Sequence, residues 1–97
     1  MTKADVIAEI VSQTGIEKKD VSETLERFFI VVKDNLAKQE NIYIRGFGSF
    51  VNKKRAKKIA RNISKNTAIT IDAHYIPSFK PAKVFVEQVK GNTNPDE

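Results

Sequence analysis

The chain has no cysteine and no tryptophan, one methionine, one histidine and three prolines in 97 residues. Without cysteine there is no disulfide, no thiolate-held zinc or iron–sulfur centre and no thiol nucleophile. The lone His74 has no cysteine or acidic cluster near it in sequence to complete a metal site, and it reads as a surface residue of a strand. No nucleophile–base pair stands out. Gly46-Phe47-Gly48 is too short for a phosphate-cradling loop and opens no helix. We therefore expect no enzyme activity, no cofactor and no metal. No apolar run approaches the ~18–20 residues of a membrane span, and Met1–Asp5 lacks the apolar segment of a signal peptide. The expectation is a soluble, cytoplasmic protein with no membrane partner. A chain this short makes one small domain with a modest core. With no disulfides to help, it points to a partner subunit.

Acid is what the second half lacks. Residues 1–50 hold 7 Lys/Arg and 8 Asp/Glu, residues 51–83 hold 9 and 1, and residues 84–97 hold 1 and 3. The formal net charge of +5 thus belongs to the middle segment, which alone carries +8. From Asn52 to Arg61 the only apolar residues are Ala56, Ile59 and Ala60, among Lys53, Lys54, Arg55, Lys57, Lys58 and Arg61. Such a segment cannot lie on a core. It is solvated or bound to anions, and charge this concentrated favours a polyanionic partner.

Around that segment the periodicities are clear. Thr2 caps a helix from Lys3 to Thr14, with Asp5 at its positive end, Val6, Ile7, Ile10 and Val11 at helical spacing and Gly15 as the stop. A second helix runs over residues 18–39. Val21, Leu25, Phe28, Phe29, Val32 and Leu36 share one side, Val31 widens the stripe, and Ile30 lies outside it. So broad an arc needs a second contact surface, either a sheet or another subunit. Asn41–Ile44 reads as a short strand. Gly46-Phe47-Gly48 turns the chain into a second strand starting at Ser49, Phe50 and Val51. A long two-stranded ribbon follows over residues 52–76. It turns near Asn62 to Asn66, and Ile69, Ile71, Ala73 and Tyr75 share one face of its return strand. Pro77 and Pro81 punctuate its end, Pro81 fits the first turn of a helix over residues 82–90, and Gly91 ends that helix. Residues 91–97 read as a frayed tail. A two-stranded ribbon of this kind fits a groove of duplex nucleic acid.

The order of these pieces, with Thr2-Lys3-Ala4-Asp5, Thr14-Gly15, Gly46-Phe47-Gly48-Ser49-Phe50, Arg61-Asn62 and Pro77-Ser78-Phe79-Lys80-Pro81-Ala82-Lys83 in register, closely resembles the bacterial histone-like family of HU and integration host factor. The resemblance covers residues 1–90 as a single domain. It implies an α+β fold: an intertwined dimer with a helical body, a three-stranded antiparallel sheet and one long protruding β-ribbon arm per subunit. It implies double-stranded DNA as partner, gripped in the minor groove and on the phosphate backbone, and a nucleoid location. The dimer is a homodimer or a heterodimer with a paralogue.

The resemblance also assigns residues. Lys53, Lys54, Arg55, Lys57, Lys58, Arg61 and Lys65 would neutralise phosphates along the arm. Alternation puts Lys53, Arg55, Lys57 and Arg61 on one side and Lys54 and Lys58 on the other. Arg61 and Asn62 would enter the minor groove. Lys3, Lys80 and Lys83 would meet the backbone from the body, and Arg45, Gly46, Gly48 and Ser49 would let the hairpin approach phosphate. Phe28, Phe29, Phe47, Phe50 and Phe79 would form the dimer core. The tip departs from the family: Ile63 stands where a wedge proline is usual, and Asn66 where a glycine is. Isoleucine is among the side chains that wedge between base pairs, so Ile63 is the expected intercalating residue. Otherwise it would cover the neighbouring arm strand. The implied function is architectural, largely non-sequence-specific DNA binding and bending with nucleoid compaction. The alternatives are a site-preferring bender of the integration host factor type or an RNA- or ribosome-associated protein. The narrow major groove of A-form RNA speaks against the last.

Overall fold

The computed structural model describes residues 1–92, and the five residues expected as the end of a tail lie outside them. The chain divides into two compact units, Met1–Asn35 and Leu36–Glu97.

The first unit is helical. Helix α1 spans Lys3–Thr14. The Thr2 hydroxyl accepts from the Asp5 backbone N–H at 3.4 Å, and the Asp5 carboxylate accepts from the Thr2 backbone N–H at 2.8 Å. This is a reciprocal capping box. Bonds from Thr2, its backbone N–H first and then its side chain, hold the Asp5 carboxyl below the usual aspartate range. Gly15 ends the helix in the left-handed region at φ +75°, its N–H donating to the Val11 carbonyl. Helix α2 spans Lys18–Ala37, most of it in this unit. Its first bond runs from the Val21 N–H to the Glu17 carbonyl. The helix stops two residues earlier than the sequence suggests. Gln39 takes φ +65°, a left-handed conformation unusual for a residue with a Cβ, and donates to the Leu36 carbonyl. Lys3 forms an ion pair with Glu26, tying the start of α1 to α2.

The second unit is built on β-structure. Strands β1 (Ile42–Ile44), β2 (Gly48–Arg55) and β5 (His74–Pro81) form an antiparallel sheet in the order β1-β2-β5. Strands β3 (Lys58–Asn62) and β4 (Thr67–Ile71) pair only with each other. Helix α3 spans Lys83–Asn92. It runs through Gly91, so Gly91 does not end it. Pro81 is not in its first turn either: it closes β5, and Ala82 accepts the first helical bond, from Val86.

Two further corrections concern the prolines and the ribbon. Pro77 does not end a strand; it lies inside β5, opposite Asn52. The Asn52 N–H donates to the Asn41 side-chain oxygen at 3.0 Å, on the β1 side. The missing N–H of Pro77 therefore falls on the open edge of the sheet, as does that of Pro81 four residues on, where a proline is tolerated. The ribbon itself is not one continuous ladder. The Arg55–His74 pair ends the first ladder and the Lys58–Ile71 pair begins the second. Ala56-Lys57 and Asp72-Ala73 lie between them. Each strand passes two residues across this gap, so the register is kept. The His74 ring lies 2.9 Å from the Asp72 carbonyl, which thereby has a side-chain partner beside the break.

Four phenylalanine rings hold the base of the sheet to α3. Phe79 lies 5.1 Å from both Phe47 and Phe50, and Phe47 stacks on Phe85 at 5.5 Å. Gly48 sits directly under this cluster. A Cβ there would lie 2.6 Å from the Phe79 ring and 2.6 Å from the Lys80 carbonyl oxygen. Gly46 lacks that crowding: it has φ +79° and open space around it, whereas Gly48 combines the close approach with a positive φ of +158°.

The two glycines therefore respond differently to a methyl group. Gly48→Ala forces ring and backbone apart and costs about 1–3 kcal/mol. Gly46→Ala carries only the left-handed penalty of about 1–2 kcal/mol. Urea denaturation monitored by far-UV circular dichroism tests the order. Both positions have a positive φ, so the excess at Gly48 is what crowding adds, and an equal or larger loss at Gly46 contradicts the packing account.

Candidate nucleic-acid interface

The arm begins where the sheet runs out of apolar residues. In β2, Lys53 and Arg55 share a face with Ser49 and Val51, while Lys54 lies on the face of Phe50 and Asn52. In β3, Lys58 shares a face with Ala60 and Asn62, and Arg61 shares one with Ile59. Lys57 falls in the gap between ladders. The alternation expected from Lys53 to Arg61 holds within each ladder but is interrupted there. Among the described residues, the side chains of Lys53, Lys54, Arg55, Lys57, Lys58, Arg61 and Lys65 enter no ion pair or hydrogen bond. Asp72, a candidate partner for an arm lysine, is in no ion pair among the described residues. The arm's positive charge is therefore uncompensated within the described chain.

The tip is a turn organised by one side chain. The Asn62 carboxamide oxygen accepts from the Ser64 N–H at 3.2 Å, the Ser64 hydroxyl at 2.8 Å and the Lys65 N–H at 3.4 Å. Such local bonds from an asparagine oxygen replace the backbone bonds of a regular turn. Asn66 then turns the chain back at φ +50°, a conformation asparagine tolerates. Asn62 thus spends its oxygen on the turn, and only its amide nitrogen is left for a partner. Ile63 is held at the apex, 90% exposed. It covers no neighbouring strand.

The base of the arm carries a second cationic surface. Arg45, Gly46, Gly48, Ser49 and Lys80 are among the residues lining one open depression of about 610 Å³. Ser49 pairs with Lys80 across β2 and β5. Packing under Phe79 already accounts for a glycine at position 48. Lys83 opens α3 and does not line the depression. Lys3 belongs to the helical unit, where Glu26 engages it. Tyr43 also lines the depression, a place that the sequence reading does not give it. A signal for it exists, since its alternation with Ile42 and Ile44 puts it on the face opposite to them.

Of the residues expected in a dimer core, Phe47, Phe50 and Phe79 cluster together. Phe28 and Phe29 lie side by side on α2 with ring centres 6.0 Å apart. Among the described residues the only buried hydrophobic ones are Ile7, Val21 and Leu36. Phe28, Phe29, Ile30 and Val31 form an exposed apolar run on α2. An apolar hollow of about 310 Å³ opens beside it, lined chiefly by Ile10, Ile16, Val21, Leu25 and Phe28. No helix among the described residues is long and apolar enough to cross a membrane, and no group of three or more His, Asp or Glu among them could hold a metal ion.

Comparison with known proteins agrees with this geometry. The family model described as bacterial DNA-binding protein matches residues 1–90. The DNA-binding protein HU of Lactococcus lactis is 40% identical over 88 residues, covering 91% of this chain and 97% of the relative. An integration host factor subunit alpha from Anaeromyxobacter is 32% identical over 94 residues, covering 97% and 83%. Among solved structures, an Anabaena HU-DNA cocrystal structure superposes with a TM-score of 0.86 at 25% identity, covering 92% of this chain and 97% of that one. HU from Thermotoga maritima superposes with a TM-score of 0.65 at 29% identity, covering 92% and 98%. With an α+β fold, a cationic hairpin arm and a family match over residues 1–90, this chain belongs to the bacterial DNA-binding protein family of HU and integration host factor.

Proposed function

We propose that this protein is an architectural DNA-binding protein that works as a dimer, grips duplex DNA by its phosphates and minor groove, and bends it with little regard to sequence. The observation that carries the reading is the arm: seven cations with no anion paired to them among the described residues, on a hairpin whose apex is an exposed isoleucine. A polyphosphate neutralises such charges with release of its counterions. Lys53, Lys54, Arg55, Lys57, Lys58, Arg61 and Lys65 act on phosphates, and Arg61 enters the minor groove beside the tip. Ile63 wedges between base pairs. Arg45, Gly46, Gly48, Ser49, Lys80 and Lys83 meet the backbone from the body, and Lys3 does so once Glu26 releases it.

The family match running from residue 1 to 90 supports reading both units as one domain. The dimer is supported by how little the single chain buries. The exposed run from Phe28 to Val31 and the adjoining hollow are surfaces for a second chain, and within the other unit Phe47, Phe50 and Phe79 are taken as its contribution to the dimer core. The partner is a second copy, and native mass spectrometry of the free protein tests this directly. The protein is not an enzyme: its chemistry is neutralisation and deformation of DNA. It works on the bacterial nucleoid in the cytoplasm. The resemblance to an integration host factor subunit supports a second reading, a bender with preferred sites. The degenerate minor-groove code limits such preference mainly to A·T against G·C and to deformable steps.

Two outcomes are expected. If a dimer neutralises about 8–10 phosphates, log affinity falls against log salt with a slope of roughly −7 to −9. Fluorescence anisotropy on a random duplex measures it, and binding indifferent to ionic strength defeats the proposal. Ile63→Ala, which removes no charge, keeps that slope but loses most of the bend, read by energy transfer between the ends of a labelled duplex. An unchanged bend denies Ile63 the wedge role.

A further inference from the structure

We infer that Tyr43 is a phosphate-binding residue on the face of the sheet between Arg45 and Lys80, acting as an uncharged hydrogen-bond donor whose direction is set by Asn41. The inference rests on the DNA-binding reading above and adds to it an interaction that the arm does not supply.

Three observations carry it. Tyr43 is 73% exposed, although it stands in a sheet strand between two half-buried isoleucines. Among the described residues no aromatic ring packs on it. It also stands in one cross-strand row with Ser49 and Lys80, and it lines the open depression with both of them and with Arg45. An anionic oxygen entering that depression meets two cations, a serine hydroxyl and the phenol. The third observation concerns polarity. The Asn41 side-chain oxygen accepts from the Asn52 backbone N–H at 3.0 Å and from the Asn52 amide at 3.4 Å. A backbone N–H is only a donor, so it fixes which end of the Asn41 carboxamide is oxygen. The amide nitrogen of Asn41 is thereby left facing the Tyr43 hydroxyl, to which it donates at 3.4 Å. The phenol oxygen is used as an acceptor, and its proton is free to donate outward. A donor oriented in this way beside two cations is the arrangement that a phosphate oxygen completes.

The consequence separates Tyr43 from its charged neighbours. An uncharged donor releases no counterion, so it contributes affinity without contributing to the salt slope. We expect Tyr43→Phe to weaken duplex binding about three- to tenfold for each hydrogen bond lost, or roughly ten- to a hundredfold where both copies in a dimer engage, by the same factor at every salt concentration. Lys80→Gln, by contrast, flattens the slope by about 0.9 for each phosphate that is no longer neutralised, or roughly twice that for two copies in a dimer. Salt titrations of wild type, Tyr43→Phe and Lys80→Gln on one duplex, read by fluorescence anisotropy, make the comparison. Thermal denaturation confirms that the variants are folded. Wild-type affinity for Tyr43→Phe, or a slope changed as in Lys80→Gln, overturns the role given to Tyr43 and leaves the DNA-binding reading standing. Failure of the wild type to bind duplex overturns both.

Discussion

The interaction on which the rest of the structure turns is the ring of Phe79 lying on Gly48. It leaves no room for a Cβ, so it fixes the approach of β5 to β2 at one point. An antiparallel pair fixed at one point is fixed along its length, since a slip of one residue would turn every side chain to the opposite face. The register set there passes outward through Arg55 and His74, is kept across the interruption, and reaches Asn62 and Thr67 at the far end. Which return-strand residue stands opposite each cation of β2 and β3 is thus decided by packing among phenylalanines at the base of the arm.

The arm cannot stabilise itself. Beyond the sheet it buries almost nothing, and its like charges repel one another. Its order comes from the ladders and from the Asn62 oxygen, which gathers three donors into the tip. The helical unit presents the reverse condition, an apolar surface in excess of what one chain can cover. The two imbalances have different remedies. One asks for a second protein surface, the other for a polyanion, and the reading of the chain as a dimeric DNA binder supplies both.

Much of this is legible in the sequence because it is local. The capping box of Thr2 and Asp5, the left-handed Gly15, the strand pattern after Thr67 and the charge run all announce themselves within a few residues. What the sequence misleads on depends on partners farther away or on exceptions to residue preference. Helix α2 ends through a left-handed glutamine, where a glycine would have been the signal. Pro77 and Pro81 look like breakers, yet each sits with its missing donor on an open edge. Gly91 looks like a stop but lies within a helix. The engagement of Lys3 by Glu26 spans 23 positions and has no sequence signature. At the interface, the cations are evident from composition, and Ile63 stands out through the resemblance of the tip to the family. The constraint on Asn62 and the polarity of Tyr43 are not, because each follows from hydrogen bonds that only the folded chain assembles.

The gap in the ribbon at Ala56-Lys57 and Asp72-Ala73 has a mechanical meaning. Stiffness in a two-stranded ribbon comes from its cross-links, and this one omits them at a single place while keeping its strands in step. Flexing there breaks no ladder bond, and the outer segment keeps its own pairing as it moves. An arm jointed in this way can follow duplexes of unequal groove width without unravelling, a useful property in a protein that must take DNA as it finds it.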